Sequence, residues 1–199
     1  MNDTARSQYW DNRYQERDIP WDLNQPAPAF TSFLDSPQSP QPGTTAILGC
    51  GTGNDALLFA QKGFTVTGFD FASEAIAAAT DRARKMNVQA EFLQRDIFTL
   101  AAEFPEKFDY LVEHTCFCAI LPEQRDRYVE IARSLLKPQG LLIGIFFTHS
   151  RPGGPPFGTT TEEISRYFQP AFEILSLVPI ENSIPRRQGD EHLGLLRRL

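Results

Sequence analysis

The stretch Ala46-Ile47-Leu48-Gly49-Cys50-Gly51-Thr52-Gly53-Asn54-Asp55 leaves this chain few folds to choose from. Apolar residues run into a glycine cluster, and an apolar-periodic segment, Ala56 to Ala60, follows at once. That succession reads as strand, tight turn and helix, the opening unit of a doubly wound α/β sheet. Glycines in such a turn let the backbone approach a ligand, because no Cβ stands in the way. The next strand-like run, Phe64 to Phe69, ends in Asp70. In folds of this kind an acid at the tip of the second strand accepts hydrogen bonds from a ribose diol. Glycine turn and Asp70 together predict a ligand with a ribose; the plainer reading is a tight turn with Asp70 capping a helix.

A dinucleotide fingerprint requires G-x-G-x-x-G, whose third glycine packs helix against strand. Here Gly49, Gly51 and Gly53 alternate strictly, and Asn54 holds the third-glycine slot. G-x-G-x-G followed by a polar pair and an apolar helix resembles the first motif of class I S-adenosylmethionine (SAM) methyltransferases. Nicotinamide or flavin binding stays as the alternative use of the same turn.

With 199 residues, one domain is expected, burying about 70% of its unfolded surface. Residues 1–42 read as an N-terminal lid segment and 43–199 as the sheet core. The net charge of −6 speaks against sequence-independent nucleic-acid binding, which needs clustered Lys and Arg. No apolar run approaches the roughly 18 residues of a membrane span. The polar N-terminus lacks a signal layout, and three cysteines, an odd number, fit a reducing cytoplasm better than a disulfide framework. The expected partner is a small molecule, and the expected state a monomer.

Upstream of the glycine turn, Thr4 to Gln15 suits a helix that Thr4 caps, with Tyr9, Trp10 and Tyr14 at helical spacing. Trp10 and Trp21 are the only tryptophans. Trp21 follows Pro20, which predicts an extended, exposed loop. Packing over the sheet is the ordinary role of such rings, but an aromatic face also attracts a sulfonium cation. Pro26 to Pro42 reads as a polar connector with one short helix at Phe30, Phe33 and Leu34.

Downstream, a capped helix runs from Ser73 to about Met86, a third strand from Asn87 to Leu93, and a fourth from Phe108 to Glu113. Asp96 and Ile97, just past the third strand, are a polar residue followed by an apolar one that could hydrogen-bond and flank an adenine; the plainer reading is an ordinary strand-end turn. A helix from Pro122 to about Leu136 precedes a buried fifth strand, Gly140 to Phe147. The Pro- and Gly-rich loop Thr148 to Gly158 follows, at a strand's carboxyl end where α/β ligands bind. A last helix (Thr161 to Phe168) and two strand-like runs (Phe172 to Val178, Leu193 to Leu196) suggest a terminal hairpin with an antiparallel strand at the sheet's edge.

His114, Cys116 and Cys118 alternate, so an extended chain would point all three to one face. Thiolate and imidazole are soft-metal ligands. A fourth ligand is missing, however, and no C-x-x-C exists, so no metal is expected. A catalytic thiol needs a lowered pKa and a partner base. Free cysteine is most often a small buried hydrophobe.

Taken together, several stretches resemble the thiopurine S-methyltransferase family, particularly its shorter thiol and halide methyltransferase branch. They are the Trp10 to Trp21 block with Pro20-Trp21-Asp22, the glycine turn, Phe69-Asp70, Phe108-Asp109-Tyr110, Thr115-Cys116-Phe117-Cys118-Ala119-Ile120-Leu121-Pro122, and Gly153-Gly154-Pro155-Pro156-Phe157. The glycine turn is shared by a whole superfamily; the tryptophan block, the Phe-Cys-Ala-Ile-Leu-Pro segment and the Gly-Gly-Pro-Pro-Phe loop narrow it. The resemblance implies a Rossmann-like, seven-stranded α/β fold, mostly parallel with an antiparallel terminal strand and helices on both faces. It implies that Trp10, Tyr14 and Trp21 cover SAM, that Gly49 and Gly51 approach its methionine part, and that Asp70 holds the ribose. Asp96 and Ile97 would flank adenine, and Glu113 would meet the methionine end or the substrate. Leu48 stands where that branch often has proline, and Glu113-His114 replaces a more usual aspartate-aromatic pair.

The expected activity is methyl transfer from SAM, leaving S-adenosylhomocysteine, to a small soft nucleophile: a thiol, thiopurine-like heterocycle, halide or reduced metalloid. In-line transfer from an activated sulfonium needs alignment and water exclusion more than a base. Candidates for a base are His114, Glu113 and Tyr14; Arg151, Phe157 and Arg186 are candidates for contacting the acceptor. The alternatives are a nucleotide-cofactor oxidoreductase and a non-catalytic SAM-binding regulator.

Overall fold

The computed structural model describes residues 7–199, so the proposed cap Thr4 lies outside the described residues. After α1 (Ser7–Gln15) and α2 (Pro28–Leu34), the chain alternates strand and helix: β1 (Thr44–Leu48), α3 (Asn54–Gln61), β2 (Thr65–Asp70), α4 (Ser73–Met86) and β3 (Glu91–Gln94). Then come α5 (Leu100–Glu103), β4 (Phe108–His114), α6 (Arg125–Leu135), β5 (Leu136–Phe147), α7 (Thr161–Phe168), β6 (Phe172–Pro179) and β7 (Glu191–Arg198). The seven strands form one sheet in the order β3-β2-β1-β4-β5-β7-β6. Strands β1 to β5 are parallel, and β7 runs antiparallel to both its neighbours.

The expected edge position of the antiparallel strand is therefore wrong. β7 inserts between β5 and β6, and β6 forms the edge. Eleven residues, 180–190, separate the two strands, enough to carry the chain past one strand width. This insertion brings the start of β7 to the same end of the sheet as the carboxyl ends of β1 to β5.

Both sheet faces are buried, as a mostly parallel sheet requires. Alternate residues divide between two cores: Ala46, Leu48, Leu111 and Leu142 pack with α6 and α7, while Ile47, Val112 and Ile143 pack with α2 and α3. Within the N-terminal segment, α2 belongs to that second core through fully buried Phe30, a side chain worth roughly 1.5–3 kcal/mol when removed from water.

Helix α1 packs on α4, and the junction is electrostatic. Ser73 does not cap α4; Asp11 Oδ1 accepts from Ser73 Oγ and from the Glu74 N–H, both at 3.1 Å. A carboxylate at a helix N-terminus serves otherwise unpaired N–H groups and the helix dipole together.

Candidate active site

The carboxyl ends of the strands converge on a cavity of about 470 Å³. Its lining follows the strand order: Asp96, Ile97 and Phe98 after β3, Asp70 and Phe71 at β2, Gly49 after β1, Thr115 and Cys116 after β4, then Phe147 and Arg151 at β5. Arg186 and Arg187, just before β7, complete that end, and Trp10, Tyr14 and Trp21 cover the middle. The centre falls where strand order reverses between β1 and β4, the position at which open α/β sheets bind ligands.

The glycine turn has the backbone its sequence predicts, with φ of 61° at Gly49 and 54° at Gly51. A Cβ on Gly49 would lie 3.1 Å from Cys116 Sγ, and one on Gly51 would lie 3.3 Å from the Tyr14 hydroxyl. Asp70 joins turn to strand: Oδ2 accepts from the Gly51 N–H at 2.8 Å and Oδ1 from the Ala72 N–H at 2.9 Å. Burial raises the Asp70 pKa against these two bonds. Each oxygen keeps a lone pair for a hydroxyl donor. Asp96 spends one oxygen on the Phe98 N–H at 2.9 Å, which leaves the other beside the apolar wall of Ile97.

Asn54 and Asp55 tie the N-terminal segment down. Asn54 Nδ2 donates to Asp22 Oδ1 at 2.8 Å, Thr52 Oγ1 donates to Asp22 Oδ2 at 2.6 Å, and Asp55 Oδ1 accepts from the Ala27 N–H at 2.8 Å. Pro20 and Trp21 are not extended; they are the middle of a turn closed by the Asp22 N–H on the Ile19 carbonyl at 3.0 Å. That turn sets Trp21 edge-on to Trp10, with ring centres 5.4 Å apart, and lets Trp21 Nε1 donate to the Tyr14 oxygen at 3.2 Å.

The three candidate bases fare differently. Glu113 does not line the cavity: it is 1% exposed and turns under the chain that follows β4. Its Oε1 accepts from the Cys116 and Phe117 N–H groups at 3.0 and 2.9 Å, and its Oε2 from the Tyr128 hydroxyl at 2.5 Å. It holds the turn rather than a ligand. Burial, with Asp70 nearby, pushes the Tyr14 phenol far above its usual range, so it stays protonated. His114 is engaged on both ring nitrogens, Nδ1 with Asp55 Oδ2 at 2.7 Å and Nε2 facing Arg187 Nη1 at 3.0 Å.

The His-Cys-Cys alternation also dissolves. β4 ends at His114, Thr115 takes a left-handed φ of 61°, and the cysteines lie on a turn instead of one strand face. Burial, then Glu113, pushes Cys118 up to about 12, and burial raises Cys116 as well, the reverse of an activated thiol.

Of the acceptor-side candidates, Arg151 and Arg186 line the cavity and Phe157 does not; Pro155 and Pro156 of the same loop do. The Phe157 N–H donates to the Cys118 carbonyl at 2.7 Å, and Arg125 Nη2 donates to the Phe157 and Gly158 carbonyls, both at 3.1 Å. Two of the three sequence segments that narrow the resemblance, the Phe-Cys-Ala-Ile-Leu-Pro segment and the Gly-Gly-Pro-Pro-Phe loop, thus meet in space. Sequence reasoning missed Arg187. It is buried, lines the cavity, and Nη1 donates to Glu191 Oε1 at 3.1 Å while Nη2 donates to the Trp21 carbonyl at 2.9 Å. The pair Arg186-Arg187 was the available signal, but nothing local says which arginine turns inward.

The family model described as thiopurine S-methyltransferase matches residues 5–196. Probable thiol methyltransferase 2 of Arabidopsis thaliana is 33% identical over 189 residues, covering 93% of this chain and 82% of that one. Thiocyanate methyltransferase 1 of the same plant is 29% identical over 204 residues, covering 100% and 88% of the two chains. Among solved structures, the protein described for conversion of a disulfide bond into a thioacetal group during echinomycin biosynthesis superposes with a TM-score of 0.82. It is 21% identical and covers 96% of this chain and 92% of its own. A Burkholderia thailandensis 1,6-didemethyltoxoflavin-N1-methyltransferase with bound S-adenosylhomocysteine gives a TM-score of 0.72 at 17% identity, covering 98% and 87%. At such identities these structures speak for the class I methyltransferase fold alone. With nearly its whole length matched by the family model, the chain belongs to the thiopurine S-methyltransferase family of SAM-dependent methyltransferases.

Proposed function

We propose that the protein methylates a small anionic sulfur or halide nucleophile, such as a thiolate, thiocyanate or iodide. The observation that carries this reading is the make-up of the cavity's two ends. At the β2–β3 end stand Asp70, Asp96 and the apolar wall of Ile97 and Phe98, with Arg127 over the Phe98 ring. At the β5–β7 end stand Arg151 (paired with Asp190) and Arg187 over the Phe147 ring, with Arg186 also lining the cavity. Bound SAM would supply an electrophilic methyl on a sulfonium. Asp70 suits the ribose diol, Asp96 and Ile97 the adenine, and Gly49 and Gly51 a backbone approach that a Cβ would close. Trp10, Tyr14 and Trp21 suit a sulfonium, because aromatic faces favour cations where water is excluded. Arg151, Arg186 and Arg187 favour an anion at the far end. The plant relatives named for thiols and thiocyanate support the same acceptor class.

An anion of this kind needs no general base, which accords with the engaged or buried state of Glu113, His114 and Tyr14. Alignment and exclusion of water are then the protein's main contribution, on the order of 7–11 kcal/mol. Family membership sets aside the nicotinamide or flavin alternative. Three cysteines free of disulfides support a reducing compartment such as the cytoplasm, and among the described residues no helix is long and apolar enough to cross a membrane.

The test is calorimetric titration with S-adenosylhomocysteine, then product formation from SAM with bisulfide, thiocyanate and iodide in the same sample. Binding with turnover is expected. Binding without turnover on any of the three would overturn the acceptor class and favour a non-catalytic SAM-binding protein or a bulkier acceptor.

A further inference from the structure

Behind the arginine end of the cavity lies a cluster of four ionisable side chains drawn from four parts of the chain: Asp55 on α3, His114 at the end of β4, Arg187 before β7 and Glu191 at its start. All are shielded from solvent; the His114 and Asp55 side chains are 10% and 14% exposed, Arg187 and Glu191 both 7%. His114 Nδ1 donates to Asp55 Oδ2 at 2.7 Å, and its Nε2 sits 3.0 Å from Arg187 Nη1 and 3.9 Å from Glu191 Oε1. Arg187 Nη1 also donates to Glu191, and Nη2 to the Trp21 carbonyl. Arg187 lines the cavity, and these bonds use neither its Nε–H nor its second Nη2–H.

Resting on the acceptor reading above, we infer that His114 is a positioning residue for the anionic acceptor. Its proton decides whether Arg187 is spent on the cluster or turned to the cavity.

The two protonation states demand two bonding patterns. A neutral imidazole with hydrogen on Nδ1 accepts at Nε2 from Arg187 Nη1, which is the observed spacing. The guanidinium is then anchored by His114, Glu191 and Trp21 at once. An imidazolium has no acceptor at Nε2. Its second N–H must turn to Glu191, the carboxylate already within 3.9 Å, and the Arg187 Nη1–H it displaces becomes available to a ligand.

The charge balance has the same sign. With a neutral histidine the cluster holds two carboxylates and one guanidinium, a net −1 that repels an anion. With the imidazolium it is neutral. Phe30, edge-on to His114 from α2 with centres 5.9 Å apart, adds no charge. Glu113 on the same strand and the Cys118 thiol near Arg187 are the other titratable neighbours, and neither bonds to the imidazole. Burial lowers the basicity of His114, but Asp55 and Glu191 outweigh burial and Arg187, setting its pKa at about 9. A protonated His114 at neutral pH favours the acceptor, and by linkage a bound anion raises the histidine's proton affinity.

Thiocyanate is the probe, because it stays an anion over the whole range. With saturating SAM, its KM between pH 7 and 10 is expected to rise by about fivefold for a coupling worth about one pKa unit, while kcat changes little. His114→Gln should give a KM that is raised and flat with pH, with S-adenosylhomocysteine affinity kept. A flat wild-type profile, or a sloped one in the variant, would overturn the inference and leave the methyltransferase reading intact.

Should the variant fail to fold, or thiocyanate not be turned over, imidazole NMR of the wild type decides. The chain has three histidines, and His114 is the one whose titration midpoint should rise with thiocyanate relative to fluoride at equal ionic strength. An unmoved midpoint would refute the inference whatever the enzyme's substrate.

Discussion

At the β2–β3 end of the cavity, Asp70 and Asp96 are held by backbone N–H groups no more than 19 residues away, whereas at the β5–β7 end Arg187 faces His114 across 73 residues. The first end is fixed by turn geometry and carries its specificity in lone pairs. The second is an ion cluster that exists only once β7 has been inserted, and its charge depends on a proton. Cofactor affinity should therefore be robust to pH and acceptor affinity sensitive to it.

The largest effect should come from the residue that separates the two ends. Glu113→Ala strands three buried donors and is expected to destabilise by about 3 kcal/mol, read as a lowered unfolding midpoint in urea. A stable but inactive variant would restore Glu113 to the chemistry. Next, Asp70→Ala unpairs the Gly51 and Ala72 N–H groups, and S-adenosylhomocysteine affinity should fall on the order of 100-fold by calorimetry. A loss under threefold would mean that the β2 end does not hold the cofactor.

Arg187→Lys keeps the charge but loses the fork. It should raise thiocyanate KM about tenfold with cofactor affinity unchanged, and equal losses in both would erase the contrast between the ends. Folding stability supplies a subtler check. The folded pKa of His114, about 9, lies above the roughly 6.5 of an unfolded histidine, so its contribution is complete below pH 6.5 and lost as pH rises through 9. Thiols raised by burial act in the same direction above about pH 8.5. The difference between wild type and His114→Gln therefore isolates the imidazole, and parallel curves would contradict its raised pKa. The smallest effect is expected for exposed Arg186→Ala, less than about twofold in KM.

The same contrast explains what could be read in the sequence. Strand, glycine turn, helix and Asp70 follow one another within 25 residues, and each announces itself by local chemistry: apolar runs, missing side chains, an acid at a strand tip. Asp96 and Ile97 were legible for the same reason, and so was the helix from Ser73 to Met86, though its actual cap, Asp11, is remote. Glu113 misled because strand alternation says which face a residue takes but not that the next turn folds over it. The role of Arg187 depends on β7 passing between β5 and β6, which no local pattern encodes. Phe157 read as a lining residue because its motif is distinctive, yet its backbone, bonded to Cys118 and Arg125, is what the motif secures.

The place of β7 has a consequence for how the molecule is assembled. β6 pairs only with β7, and one side of β5 is covered by it, although β7 follows every other strand in chain order. Until Glu191–Arg198 is in place, a growing chain presents two open strand borders, with Leu175 and Val178 exposed on one of them even in the finished fold. The half of the sheet that carries Gly49 and Asp70, β1 to β4, has its pairing complete long before. Synthesis therefore passes through a stage able to shape the Asp70 side of the cavity but not the arginine side, and an interruption there leaves open strand borders.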